Sequence, residues 1–253
     1  MTVREIYDKI EERIPQSLRE EWDNDGLMCS ADTSVNVKKA IVTLDVTEEI
    51  VDYAISEKFD LIVSHHPLIF KPLKAINEDS NIARKLIKLI AAGVSVFSFH
   101  TRADKVVGGV NDQLCDLLGI FNSSAFGEGG LGRIGTLDDD YTLEDFVYKL
   151  KSALGSDMIR YSDGYNNVKT VALVGGDGKD FVADAIKCGA DTYVSGRIGY
   201  NLMEEAAELG INLIEAGHFF TEQPITSFFS NILTRLDTEM YVEIADSNLI
   251  KIM

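Results

Sequence analysis

Short runs of β-branched and aliphatic residues alternate along the chain with segments whose apolar residues recur every three or four positions. The first pattern suits strands buried on both faces and the second suits helices with one buried face. Their alternation predicts βα units around mostly parallel sheets. Thr2 and Glu5 have capping-box spacing ahead of Val3, Ile6, Ile10 and Ile14, which share one helical face, and Pro15 ends that helix. KAIVTLDV (39–46) predicts a strand, Ile50, Val51, Ala54 and Ile55 a helix, and DLIVS (60–64) a second strand. A helix over residues 82–90, closed by Gly93, and a third strand, VSVFSF (94–99), follow.

The same order then returns. KTVALVGG (169–176) predicts a strand, FVADAIKCG a helix ending at Gly189, and ADTYVSG (190–196) a strand. A helix through Leu202, Ala206 and Leu209 ends at Gly210 before INLIEAG (211–217). KKAIVTLDV lies over VKTVALVGG, FDLIVSHH over ADTYVSGR, and AAGVSVFSFH over ELGINLIEAGH, which favours a degenerate internal duplication. Residues 120–140, rich in Gly, Ser and Asp, read as a linker. After Glu222, a helix through Ile225, Phe228, Phe229, Ile232 and Leu236 precedes strands MYVEIA and LIKI, which are expected to complete the first sheet. The expected fold is α/β, with two similar half-domains and mixed, mostly parallel sheets. Residues 1–125 and 225–253 form the first domain and 126–224 the second.

Composition narrows the class. With 253 residues, 45% hydrophobic and 26% charged, the chain has the make-up of a globular protein and not of a disordered, collagenous or coiled-coil one. A chain of this size buries roughly three quarters of its surface without disulfides or a structural metal. The net charge of -17 disfavours bulk nucleic-acid binding. Cys29, Cys115 and Cys188 are isolated and odd in number, which predicts reduced, buried thiols in the cytoplasm. The N-terminus MTVREIYDKIEERIPQSL lacks the apolar stretch of a signal peptide, and LIAAGVSVFSF is too short to cross a bilayer. A cytoplasmic protein without a membrane partner is expected.

The candidate chemistry is concentrated. All four histidines fall just past the ends of predicted strands, in SHHPLIF (His65, His66), FSFHTRAD (His100, Asp104) and EAGHFFTE (His218, Glu222). Open α/β sheets bind ligands at the carboxyl ends of their strands, so these loops should converge on one crevice. Two of them repeat His-x-x-x-carboxylate, a spacing that puts both side chains on one face of a helical turn. Imidazole with carboxylate suits Zn, Mn, Fe, Co or Ni. Six donors exceed what one tetrahedral ion accepts, so two divalent ions, about 3.5 to 4 Å apart, use them better and point to metal-assisted hydrolysis of a small-molecule substrate. The alternative, a set of satisfied core or capping groups, would gather costly polar groups in one crevice without cations.

Other features are weaker. GEGGLG (127–132) predicts a turn and not a dinucleotide site, because no strand precedes it and the strand-like RIGTL follows. GGDGKD (175–180) is expected to be a plain βα turn. Asp45 ends the first strand, either facing the crevice and a substrate or serving as a turn residue. Trp22 is expected to be a packing anchor and not a stacking platform, and Thr142 to cap a helix.

WDNDGL (22–27), SHHP (64–67), HTRAD (100–104) with GGVND (108–112), and GHFFTEQP (217–224) together resemble the dinuclear metal centre proteins. These are commonly labelled GTP cyclohydrolase 1 type 2 homologues or NGG-interacting-factor-three-like proteins, and the resemblance spans essentially the whole chain. It implies two similar α/β domains, a dinuclear metal site in the crevice between them, and a homo-oligomer in the form of a toroidal hexamer. The implied ligands are His65, His66, Asp104 and His218, with Glu222 bridging. His100 then stands beside the metals to orient a ligand or act as general acid or base. Longer members carry an inserted third domain, for which this chain has no room. Members often show Thr-Gly-acidic and a later His where this chain reads SGRIGYN, with Arg197 and Asn201. Arg197 holds a substrate phosphate in one reading and faces solvent or a subunit contact in the other. The implied activity is hydrolytic, GTP cyclohydrolase-like, with a nucleotide among the candidate substrates. The alternatives are a metal-dependent phosphoesterase and a non-enzymatic, ring-forming metal-binding assembly protein.

Overall fold

The computed structural model describes residues 1–251, and the chain divides into two compact units, Met1–Val106 with Ile225–Leu249, and Val107–Pro224 with Ile250 and Lys251. The first unit opens with α1 (Val3–Arg13), β1 (Gly26–Cys29), β2 (Lys39–Thr43), α2 (Glu48–Ser56), β3 (Leu61–Ser64), α3 (Asn81–Ala92), β4 (Ser95–Ser98) and α4 (Thr101–Lys105). The second unit begins with α5 (Val110–Leu118), β5 (Phe121–Phe126), β6 (Gly132–Tyr141), α6 (Leu143–Leu154), β7 (Arg160–Ser162) and β8 (Val168–Asp177). It continues through α7 (Val182–Lys187), β9 (Thr192–Arg197), α8 (Tyr200–Glu204), α9 (Ala206–Leu209), β10 (Asn212–Glu215) and α10 (His218–Glu222). The chain then returns to the first unit as α11 (Ile225–Leu236) and β11 (Tyr241–Ile244).

The first sheet has the order β1-β4-β3-β2-β11, parallel throughout except for β1 at the edge. β3 and β4 are buried at every position, which is why their sequences run without polar alternation. Ile41, Ile62 and Val96 of this sheet pack with Val51 and Ala54 of α2 and Leu86 and Leu89 of α3. The Thr2–Glu5 capping box forms at the start of α1, and Gly93 caps α3.

The second sheet has the order β5-β6-β8-β9-β10-β7, with β8, β9 and β10 parallel and the other pairings antiparallel. Ala172, Val174, Tyr193 and Leu213 form its core with Ala185 of α7 and Ala206 of α9. The expected α/β class with two mixed sheets is observed.

Both sheets share a motif. Three parallel strands, β2-β3-β4 or β8-β9-β10, carry an antiparallel strand beside the last of them. The likeness extends to single residues. Asp60 Oδ2 accepts from the amides of Lys38 and Lys39 at 2.7 and 2.9 Å, and Asp191 Oδ2 accepts from those of Lys169 and Thr170 at 3.1 and 2.7 Å. As a result α4 and α10, which carry the two His-x-x-x-carboxylate repeats, follow equivalent strands.

Three expectations need correction. The unit boundary falls after Val106 and not after residue 125, because α5 packs on β6, β8 and α6 and β5 pairs with β6. Residues 120–140 are not a linker: β5 and β6 form a hairpin around a short 3-10 turn, Glu128–Gly130. Glycine there makes room, since a Cβ at Gly132 would enter the Phe126 ring and one at Gly135 would strike the Phe121 carbonyl. In LIKI, residues 249–251 form no strand, and Ile252 lies outside the described residues. MYVEIA does pair, as β11 beside β2.

Candidate metal centre

β3 ends at Ser64, and the chain turns immediately into His65 and His66; β4 ends at Ser98, and His100 occupies the N-cap position of α4. The three rings come together, with centroids 5.1 Å apart for His65 and His66, 5.3 Å for His65 and His100, and 5.8 Å for His66 and His100. Each offers one ligand atom within 4.8 Å of the others.

One device orients all three. His65 Nδ1 lies 2.9 Å from the Phe99 carbonyl, His66 Nδ1 lies 2.8 Å from Asp45 Oδ1, and His100 Nδ1 lies 2.8 Å from Asp23 Oδ1. A carbonyl or carboxylate oxygen can only accept, so each ring donates from Nδ1 and keeps Nε2 as its ligand nitrogen. Asp104, buried on α4, brings Oδ1 to 3.6 Å from His65 Nε2. The first unit therefore gathers three oriented imidazoles and a buried carboxylate.

Asp23 is fixed as firmly as the ring it holds. Its Oδ2 accepts from the Thr101 hydroxyl at 2.7 Å and the Thr101 amide at 3.1 Å. Burial pushes its pKa up, but the hydrogen bond and charge of His100, with the two hydrogen bonds from Thr101, outweigh burial and bring it down to about 2. Two residues on, Asp25 Oδ2 accepts from the His100 amide and from Arg102 Nε, both at 3.0 Å.

The second unit presents its own pair on one turn of α10. His218 Nε2 lies 2.9 Å from Glu222 Oε2, and Glu222 is buried. The β8 end makes room for them. At Gly176, whose φ is 69°, a Cβ would occupy the place of Glu222 Oε1 and come within 3.2 Å of His218 Nε2. Asn111 steadies this backbone, accepting from the Gly175 amide at 2.8 Å while donating to the Leu131 carbonyl at 2.8 Å. Thr221 Oγ1 accepts from the Gly176 amide at 3.1 Å.

These donors fit a divalent ion of the borderline class: imidazole nitrogens with acceptors behind them, and buried carboxylates. His, Asp and Glu clusters that can hold metal ions are thus present in the chain.

The remaining expected site residues fall as follows. Asp45 sits behind His66 as its orienting carboxylate and accepts from the Ser247 hydroxyl at 3.5 Å. Arg197 is exposed and pairs with Asp177 Oδ2 at 3.6 Å, not with His218 or Glu222. Trp22 is no packing anchor: it is 63% exposed and meets Phe70 and His100 edge to face, because the buried contacts of its loop are made by Asp23 and Asp25, which follow it. Cys29 and Cys115 are buried, and burial pushes their thiols up to about 11 and about 12, whereas Cys188 is exposed at the end of α7. Sequence reasoning missed the roles of Asp23, Asp25 and Arg102. The available signal was the pair of acidic residues flanking Asn24 in WDND, a density of carboxylates that a plain turn does not need. Among the described residues no helix is long and apolar enough to cross a membrane.

The family model for Duf34/NIF3 (NGG1p interacting factor 3) matches residues 1–251. A GTP cyclohydrolase 1 type 2 homolog of Clostridium perfringens is 36% identical, with 95% of this chain and 94% of that protein covered. A Protein NIF3 homolog of Schizosaccharomyces pombe is 31% identical over 92% of this chain and 88% of its own. Among solved structures, a hypothetical protein of Staphylococcus aureus superposes with a TM-score of 0.89 at 25% identity, covering 100% of this chain and 99% of that one.

Proposed function

The chain belongs to the Duf34/NIF3 family, and from that premise we propose that it is a hydrolase dependent on two divalent metal ions and acting on a small substrate. The observation that carries the proposal is the trio His65, His66 and His100, gathered within reach of one another and each held at Nδ1 by an acceptor, which turns Nε2 to the ions in His65 and His66 and to proton transfer in His100. In this reading His65, His66, Asp104, His218 and Glu222 serve the ions, with zinc, iron, manganese, cobalt or nickel as candidates. Bound divalent ions supply Lewis acidity, polarising a substrate oxygen and bringing the ionisation of water toward neutrality.

The protein's own residues set the rest. Asp45 and Asp23 hold His66 and His100 each in one tautomer and one orientation. His100, partly exposed and backed by an ionised Asp23, can take or return a proton at Nε2. The relatives' shared label points to ring opening of GTP, so GTP is the first substrate to assay. A homohexameric ring is the expected assembly, to be checked by light scattering.

The test combines metal analysis of the purified protein with turnover of GTP and a panel of phosphoesters, for wild type, His65→Ala and His100→Ala. The expected result is metal-dependent hydrolysis lost in both variants, with metal content lowered in His65→Ala. If metal-loaded wild type turns over nothing while His65→Ala loses its ring assembly, the enzyme reading fails in favour of an assembly protein.

A further inference from the structure

We propose that Trp22 and Phe70 form an aromatic wall on which the planar ring of the substrate stacks, so that the substrate class is a small molecule bearing a nucleobase. This rests on reading the histidine cluster as a hydrolytic metal centre and supplies the recognition element which that reading lacks. Trp22 is 63% and Phe70 43% exposed. Their rings meet edge to face at 6.2 Å, and each also meets His100, Trp22 at 6.2 Å and Phe70 at 6.1 Å. His100 in turn lies 5.3 Å from His65. The aromatic surface is therefore continuous with the candidate ligands, and a base stacked on it presents its edge or its sugar to them.

The exposure is built in and does not come from a frayed loop. Directly after Trp22, Asp23 and Asp25 are buried and tied to His100, Thr101 and Arg102. Asn24 donates to the Ile69 carbonyl and so joins the loop of Trp22 to the loop of Phe70. Apolar rings held in water by a clamped backbone forgo the burial that their area would otherwise provide, and a planar ligand restores it. Base–aromatic stacking tolerates any base because each has a π-face, so the wall selects for an aromatic ring and leaves the choice of base to polar contacts. The neighbouring anion-binding duty falls to the cations, which is consistent with an acidic chain accepting a nucleotide.

Trp22 is the only tryptophan of the chain, so its fluorescence reports on the site directly. Titration with guanosine monophosphate should quench it saturably, and ribose 5-phosphate, which has no base, should not. Phe70→Ala should weaken the quench titration, and Trp22→Ala the calorimetric titration, each by roughly 5- to 100-fold, with Trp22→Phe retaining most of the affinity. Because Trp22 and Phe70 are exposed, these variants should stay folded and keep the wild-type oligomeric state by light scattering. The proposal is overturned if ribose 5-phosphate binds as tightly as the nucleotide, or if the alanine variants bind it like wild type. It is also overturned if those variants lose assembly while affinity holds, since the wall would then be covered by a second copy. No turnover is needed, so a protein that stacks the base yet hydrolyses nothing sinks the hydrolase reading alone. Turnover unaffected by Trp22→Ala would sink only this one.

Discussion

Single side chains decide whether the donors can assemble, and Gly176 shows it most directly. A methyl group there would occupy the position of Glu222 Oε1, on a backbone whose φ of 69° already disfavours any side chain. Gly176→Ala should therefore lower bound metal well below the wild-type content. Gly189→Ala separates the two causes, because Gly189 has a comparable φ of 81° but nothing within 4 Å of its added Cβ. It should cost about 1 kcal/mol of stability and no metal. Metal analysis and urea midpoints of the two variants distinguish the outcomes. Arg102 matters for a different reason. It is fully buried, donating to Asp25 at 3.0 Å, to Glu11 at 2.6 Å and to the Ile14 carbonyl at 3.0 Å, and so it ties α1 and the Trp22 loop to α4. Arg102→Met should destabilise the protein by about 3 to 5 kcal/mol by leaving the buried Asp25 charge without its partner. Arg102→Lys should recover little, since an ammonium cannot span the same acceptors. A denaturation series in urea measures both. The histidines were legible in the sequence because strand ends are where loops converge. Asp23, Asp25 and Arg102 were not, because their partners lie 77 to 91 residues away along the chain.

Among elements, legibility followed burial. β3 and β4, buried at every position, announce themselves as unbroken apolar runs, and α1 and α6 announce themselves by threonine caps. Short edge strands carry no such signal. β7 (RYS) is exposed or half-buried throughout and exists because β10 offers it a hydrogen-bonding edge. β5 and β6 looked like a linker because their glycines lie under Phe126 and against Phe121, contacts that appear only once the hairpin has closed. One carboxylate ties the elements of the second unit together. Glu215, at the end of β10, accepts from the amides of Ile198 and Gly199 at 2.8 and 2.9 Å and from Arg160 Nε at 3.0 Å. Burial pushes its pKa up, but these hydrogen bonds and the Arg160 charge outweigh it and leave it below the ordinary glutamate value. A lowered folded pKa means that the stabilisation is complete above the unfolded value, near 4.5, and is lost as pH falls through the folded one. Wild-type urea midpoints should therefore drop between about pH 5 and pH 3 more steeply than those of Glu215→Gln. Parallel pH profiles of the two proteins would assign this part of the acid limb elsewhere.

At the scale of the whole molecule, a charge of -17 attracts divalent cations indiscriminately, so metal binding alone does not identify a site. Ionic strength separates diffuse attraction from ligation. In about 0.5 M salt the screening length falls to about 4 Å, which removes attraction to a dispersed acidic surface but leaves an ion held by imidazole nitrogens and buried carboxylates in place. A ligated ion stabilises the folded chain by mass action, about 2.7 kcal/mol when the ion is present at 100 times its dissociation constant. For a chain of this length that corresponds to a melting temperature higher by about 5 to 10 °C. Chelation should therefore lower the melting temperature by that amount, equally at low and high salt, and restoring zinc or manganese should reverse it. His65→Ala should melt at the chelated temperature and respond to neither treatment, because the ring pinned by the Phe99 carbonyl is the most deeply buried imidazole of the first unit. Calorimetric scans of both proteins, with and without chelator at the two salt concentrations, decide the matter. A chelator effect that disappears in salt would make the cations part of the acidic surface's atmosphere, and the histidine cluster would lose its claim to them.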